Sequence, residues 1–329
     1  MLVLDGTDVE AVLVRDELIE SVATGLAELS AGAASMPPRV AATVEERDAL
    51  LAVMPGYLPG RAVLGAKLVT VFPGNAGTRR PTHQAVIVLF DPATGAPDAL
   101  LDGTVLTAER TAAASAVATR YLADPAAAVL AVLGTGVQAR AHVLTVSRVC
   151  PSLTEVRIAG RDEAKAVALA AELQARVAVP VRAVPSFADA LAGAGVVCAA
   201  THSPEPVVRL EWLAPGAHVN SVGFHVEGRE VDAATVVDAL VVVESRASAL
   251  APVPAGANDL LWPIRDGLIG PDHVRAELGE LVLGARPRRS SPGQPTLYKS
   301  VGVAVEDLAA AALVLSAARA RGVGRLVDV

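Results

Sequence analysis

The stretch Ala131-Val-Leu-Gly-Thr-Gly-Val-Gln-Ala139 constrains this chain more tightly than any other. It puts G-x-G-x-x-A directly after an apolar, strand-length run and at the start of a helical segment, the context in which the pattern carries a mechanism. Glycine at 134 allows the tight turn, and glycine at 136 lets the backbone approach a pyrophosphate. Alanine at 139 keeps the helix close to its sheet, and the helix N-terminus offers N–H groups to the phosphates. The flanking sequence agrees. Strands are expected over 129–133, 155–159, 181–184 and 196–200, with helices over 138–149, 163–176 and 187–192 between them. Aliphatic strands alternating with helices imply a parallel sheet covered on both faces. The expected fold class is α/β, with a Rossmann-type dinucleotide-binding domain.

The second strand of that domain runs into Val156-Arg-Ile-Ala-Gly-Arg-Asp162. A carboxylate at this tip suits the ribose 2′-OH of NAD, whereas an arginine accommodates a 2′-phosphate. Arg161 comes first and Asp162 second. A guanidinium fork suits a phosphate, so NADP(H) is favoured, with NAD(H) as the alternative. The bland reading beside it is an exposed arginine at a helix start, with Asp162 as the N-cap.

A length of 329 residues suggests about two domains. Alanine and valine supply much of the 52% hydrophobic content, and no uncharged apolar run reaches membrane length. The N-terminus carries acids early and no basic segment, unlike a signal peptide. Net charge is −7 with scattered basic residues, which argues against a nucleic-acid partner. Cys150 and Cys198 sit in apolar surroundings and are expected to be buried free thiols. The expectation is a soluble, cytoplasmic chain. Ahead of the nucleotide domain, helices are expected over 16–29 and 107–122 and strands over 62–72 and 84–91. A last helix over 303–320 comes too late for the parallel sheet and is expected to pack on the N-terminal region.

Three cations stand out. Lys67 interrupts an otherwise apolar strand and alternates with Val63, Gly65, Val69 and Val71. An edge strand with its ammonium in solvent would explain it. So would a site lysine that holds a carboxylate or moves a proton once burial lowers its pKa. Arg39 follows Met36-Pro-Pro38, and Arg110 opens the long helix. Each reads equally as a surface charge or as part of a cationic pocket. His225, in Val222-Gly-Phe-His-Val-Glu-Gly-Arg-Glu230, stands just past a strand end.

The ordered stretches Pro38-Arg39, Met54-Pro55, Gly65-Ala-Lys67, Leu106-Thr-Ala-Glu-Arg-Thr-Ala112, Gly134-Thr-Gly-Val-Gln-Ala139, Gly216-Ala-His-Val-Asn-Ser-Val-Gly223, Arg229-Glu-Val-Asp232, Leu297-Tyr-Lys-Ser-Val-Gly302 and Val305-Glu-Asp307 span nearly the whole chain. In them the chain resembles the ornithine cyclodeaminase/mu-crystallin family. The resemblance implies a homodimer. It also implies a mixed α/β dimerisation and substrate domain over 1–115 and 303–329, with the Rossmann domain over 116–302 between them. Arg39, Lys67 and Arg110 would bind the carboxylate of a small amino or imino acid, with Lys67 near the reacting carbon. Thr111, Gly134, Thr135, Gly136, Val137, Gln138, Arg161, Val222, Gly223 and Ser300 would bind the cofactor. The family's shared chemistry is hydride transfer at an α-carbon, and it needs no metal.

Cyclodeaminases in the family pattern place an aspartate shortly after Val-Gly and a glutamate two positions before Met-Pro. Here those positions hold His225 and Ala52. A ketimine reductase or amino-acid dehydrogenase is therefore favoured, with His225 as proton donor or pocket lining, and a cyclodeaminase is the alternative. A crystallin-like NADPH-binding protein is a third possibility, disfavoured by the retained Lys67, Arg39 and Arg110. The side-chain pocket is expected in loops at 56–60 and 254–262. His83 either faces the site or turns before a strand. His202 and His218 are expected at loops or strand ends, Trp212 and Trp262 as packing anchors, and 286–289 as a solvated basic cluster.

Overall fold

Two units, each built on its own sheet, make up the chain: Met1–Arg110 with Val303–Val329, and Thr111–Gly302. The structure, a computed structural model, describes residues 1–328. The first sheet contains β1 (Leu2–Leu4), β2 (Val40–Val44), β3 (Ala49–Leu58), β4 (Val63–Val71), β5 (His83–Phe90), β6 (Pro97–Asp102) and β15 (Arg325–Leu326). Their order is β15-β1-β6-β5-β4-β3-β2, and β2 to β6 form an antiparallel meander.

Period-2 alternation gives this sheet two unlike faces. The cross-strand row Met54, Lys67, Ile87, Leu101 is buried throughout. The next row, Val40, Val53, Leu68, Val86, points the other way, with Val40 64% and Val86 41% exposed. The helix Ala304–Arg321 covers the buried face and packs in turn on the helix Arg15–Ser30. Its fit is close, since a Cβ at Gly65 would meet Leu308 at 3.1 Å. Ser21 Oγ donates to the Ala309 carbonyl at 2.8 Å, tying the two helices together. The late helix thus packs where the sequence placed it. The edge-strand account of Lys67 fails, because β4 lies between β3 and β5. Residues 56–58, expected as loop, continue β3 despite Pro55 and Gly56.

The second sheet contains β7 (Val129–Leu133), β8 (Glu155–Ala159), β9 (Val181–Ala183), β10 (Val196–Ala199), β11 (His218–Ser221), β12 (Leu240–Val243), β13 (Val274–Glu277) and β14 (Thr296–Lys299). All are parallel, in the order β13-β12-β14-β11-β10-β7-β8-β9. The order reverses at β7. A doubly wound sheet opens a crevice beyond the strand carboxyl ends at such a switch point, here between β7 and β10. The helix after β7 spans Val137–Val146 and tightens into a 3-10 turn at Ser147–Val149, so it is shorter than expected. Cys150 and Cys198 are buried free thiols, and burial pushes Cys150 up to about 11. Among the described residues no helix is long and apolar enough to cross a membrane.

Candidate active site

In the first unit, strand alternation turns Lys67 onto the buried face, under the first turn of the last helix. Its Nζ forms an ion pair with Asp307 Oδ2 at 2.8 Å. Asp307 Oδ1 accepts the Arg110 Nε–H at 2.9 Å, and Arg110 Nη1 donates to Glu306. All four side chains are at least 95% buried. Burial lowers the Lys67 ammonium from 10.5 to about 8; Asp307 pulls against that shift and Arg110 adds to it. Such a group can hold or release a proton near neutral pH. Arg110 does not open its helix, which starts at Gly103, where Asp102 Oδ1 accepts the Val105 N–H at 2.8 Å. Arg110 is therefore about two turns in. Arg39 is half-buried and directly precedes Val40, the residue paired with Val53. It therefore stands one strand over from the Met54–Lys67 pair. Ala52 lies two residues before Met54, on the same buried face as Lys67.

Sequence reasoning found the cations of this cluster but gave no role to Glu306 and Asp307. Two consecutive acids in an alanine-rich helix start look like ordinary first-turn residues. Only the packing of that helix on β4 turns them inward.

In the second unit, the glycine loop has the shape its motif requires. Gly134 has φ +118°, and a Cβ there would lie 2.5 Å from the Ala200 carbonyl oxygen. Nothing lies within 4 Å of where a Cβ would sit on Gly136, so that face is open. Gly136 caps the helix without a side chain, leaving the first turn for a ligand. A cleft of about 380 Å³ opens here, bordered by Thr135, Gly136, Val137, Arg140 and Lys165. Gln138 Oε1 is buried with no partner among the described residues. An open backbone cradle and an unmet acceptor at the carboxyl edge of β7 fit a dinucleotide. Asp162 is occupied as an N-cap, accepting the Lys165 N–H at 3.2 Å. Arg161 is exposed, with no partner among the described residues.

The carboxyl ends of β10, β11, β12 and β14 are bound together by buried charges that sequence reasoning missed. Glu230 accepts from Thr201 N (2.7 Å) and Oγ1 (2.8 Å), and from Ser221 Oγ and Gly223 N (both 2.8 Å). Lys299 Nζ pairs with Asp259 at 3.0 Å and donates to Ser221 Oγ at 3.0 Å and the Gly223 carbonyl at 2.7 Å. Glu244 accepts from Ser300 Oγ, Val301 N and Gly302 N. These contacts fix the segments that hold Val222, Gly223 and Ser300. A lysine at the end of the fully buried strand Thr296–Lys299 belongs to this group. Thr111, buried, follows Arg110 on the long helix.

His225 lies in the loop after β11, half-buried, 4.8 Å from His202 between ring centroids. Its Nδ1 accepts the Glu227 N–H at 3.1 Å. Asn258 Nδ2 donates to the His225 and Val226 carbonyls at 3.2 and 2.7 Å. That asparagine starts the helix Asn258–Arg265, so the stretch at 254–262 is only partly loop. His83 opens β5, and His218 opens β11, buried between Thr296 and Asn220. Trp212 and Trp262 lie under Arg209 and Arg229. The basic run at 286–289 is not merely a solvated cluster. Arg289 donates to the carbonyls of Gly216, Gln294 and Leu122 at 2.8, 3.0 and 2.7 Å.

A model of the Ornithine cyclodeaminase/mu-crystallin family matches residues 1–322. The chain is 39% identical over 301 residues to ketimine reductase mu-crystallin of Mus musculus, covering 90% of each. It is similar to the structure of Thermococcus litoralis Delta(1)-pyrroline-2-carboxylate reductase in complex with NADH and L-proline. The TM-score is 0.93 at 36% identity, over 99% of this chain and 100% of that one. An archaeal alanine dehydrogenase dimer with bound NAD gives a TM-score of 0.90 at 30% identity, over 100% of this chain and 99% of that one.

Proposed function

The chain belongs to the ornithine cyclodeaminase/mu-crystallin family, and on that premise we propose that it is an enzyme reducing a small α-imino acid with a nicotinamide cofactor. A bound nicotinamide would supply the hydride for the carbon of a C=N bond. The observation that carries the reading is the buried Lys67, held by Asp307 and lowered to about 8. A C=N carbon accepts hydride best when its nitrogen is protonated, and Lys67 is the group equipped to deliver that proton. Arg110 and Arg39 are assigned to the substrate carboxylate. His225, whose Nδ1 accepts the Glu227 N–H, is assigned to pocket lining.

For the cofactor, the glycine loop with Thr111, Thr135, Val137 and Gln138 is assigned to the pyrophosphate end. Val222, Gly223 and Ser300 are assigned to the nicotinamide end. Arg161, unpaired while Asp162 caps its helix, favours NADP(H) over NAD(H). A homodimer through the outward face of the first sheet accounts for the exposed apolar row containing Val40 and Val86. The archaeal relative being a dimer supports this. Ala52 and His225 stand where the family pattern of cyclodeaminases has carboxylates, which disfavours cyclodeamination.

The test is a panel of cyclic α-imino acids and α-keto acid/amine pairs, followed by consumption of NADPH and of NADH. At least one cyclic imino acid should be reduced at a rate proportional to enzyme. Proline and ammonia formed from L-ornithine with NAD⁺, with no imine reduction in the panel, would overturn the proposal.

A further inference from the structure

We propose that Glu244 and Glu230 keep the nicotinamide end of the cofactor site negatively charged, so that the site favours the oxidised ring over the reduced one. The inference rests on the assignment of the segments 221–223 and 300–302 to that ring. Glu244 is completely buried and accepts only neutral donors: Ser300 Oγ at 2.6 Å, Gly302 N at 3.0 Å and Val301 N at 3.1 Å. Glu230, 3% exposed, likewise accepts only N–H and O–H groups, from Thr201, Ser221 and Gly223. Lys299 is matched by Asp259 at 3.0 Å. Among the described residues neither Glu230 nor Glu244 has a cation at ion-pair distance, so each keeps a carboxylate charge met by neutral donors alone.

Structure alone does not call for this charge. A glutamine at 244 could accept the same three hydrogen bonds, and a buried carboxylate without a cation is the costlier choice. An oxidised nicotinamide carries one positive charge more than the reduced form. Buried negative charge therefore discriminates between the two, with a sign set by Coulomb's law and weak screening by salt. During imine reduction positive charge develops at the ring. A hydride with its electron pair passes to the imine carbon while the imine nitrogen takes a proton, and a preorganised negative field stabilises that change.

The test is Glu244→Gln in the full chain, which removes the charge and keeps an oxygen acceptor. Calorimetry gives its affinities for NADP⁺, NADPH and 2′-phospho-ADP-ribose, which lacks the nicotinamide. The ratio Kd(NADP⁺)/Kd(NADPH) should rise about tenfold, with 2′-phospho-ADP-ribose binding unchanged. Glu230→Gln is the second variant, for use if the first fails to fold, and should move the ratio the same way. Equal weakening of both nucleotides, with a fixed ratio, would show a positioning role and overturn the inference while leaving the site assignment intact. Affinities for all three ligands unmoved in both variants would overturn the inference and the nicotinamide assignment together.

Discussion

In the proposed reaction Lys67 is the proton donor, and its environment pulls in two directions. Burial favours the neutral amine, Asp307 at 2.8 Å favours the ammonium, and Arg110 opposes it, leaving the group at about 8 instead of 10.5. The direction of the pH dependence follows. Imine reduction needs the ammonium, so kcat/KM should fall as pH rises through about 8. Amine oxidation needs the free amine and should rise through the same range. Removing the Asp307 charge with Asp307→Asn withdraws the influence that supports the ammonium, and the reductive limb should move to lower pH. A limb near 10, unmoved by Asp307→Asn, would exclude Lys67 as the titrating group. Lys67→Met should lower turnover by about 10²–10⁴-fold, the usual range for losing a general acid, while cofactor affinity measured by fluorescence stays within about twofold.

At the scale of elements, legibility depended on how local the forces are. β7 is readable because an aliphatic run ended by glycine has no competing interpretation, and β8 because Val156 and Ile158 alternate with charges before Gly160. The glycine loop is readable because its backbone demands particular residues. β3 is not, because Pro55 and Gly56 signal a turn, yet the chain stays extended and Gly56 packs under Leu308. Lys299, Glu230 and Glu244 are opaque for a related reason. Their partners lie 7 to 78 residues away, and no local pattern distinguishes such charges from surface ones. Arg161 is the intermediate case. Its position at the tip of β8 follows from the sequence, but the commitment of Asp162 to capping appears only in the fold. Arg161→Ala should weaken NADPH about tenfold or more, the scale of one charged hydrogen bond, and NADH hardly at all. Equal losses for both nucleotides would refute the 2′-phosphate assignment.

For the molecule as a whole, the outward row Val40, Val53, Leu68, Val86, exposed at Val40 and Val86 and half-buried at Val53 and Leu68, predicts self-association. Apolar side chains aligned across four strands form the kind of exposed patch that marks an interface. Leu68→Glu or Val86→Asp should convert a dimer to a monomer in sedimentation velocity at micromolar concentration, since a buried unpaired carboxylate opposes association. A wild-type monomer, or variants that stay dimeric, would count against this surface. The cluster around Lys67 has a further consequence, in the order of synthesis. Arg110 and its partner Asp307 are 197 residues apart. At about 5–20 residues per second, roughly 10 to 40 seconds separate their emergence from the ribosome. Until then the first unit lacks both the helix that covers its sheet and the two acids that neutralise its buried cations. A nascent chain can complete the nucleotide-binding unit first, and the unit that begins earliest finishes last.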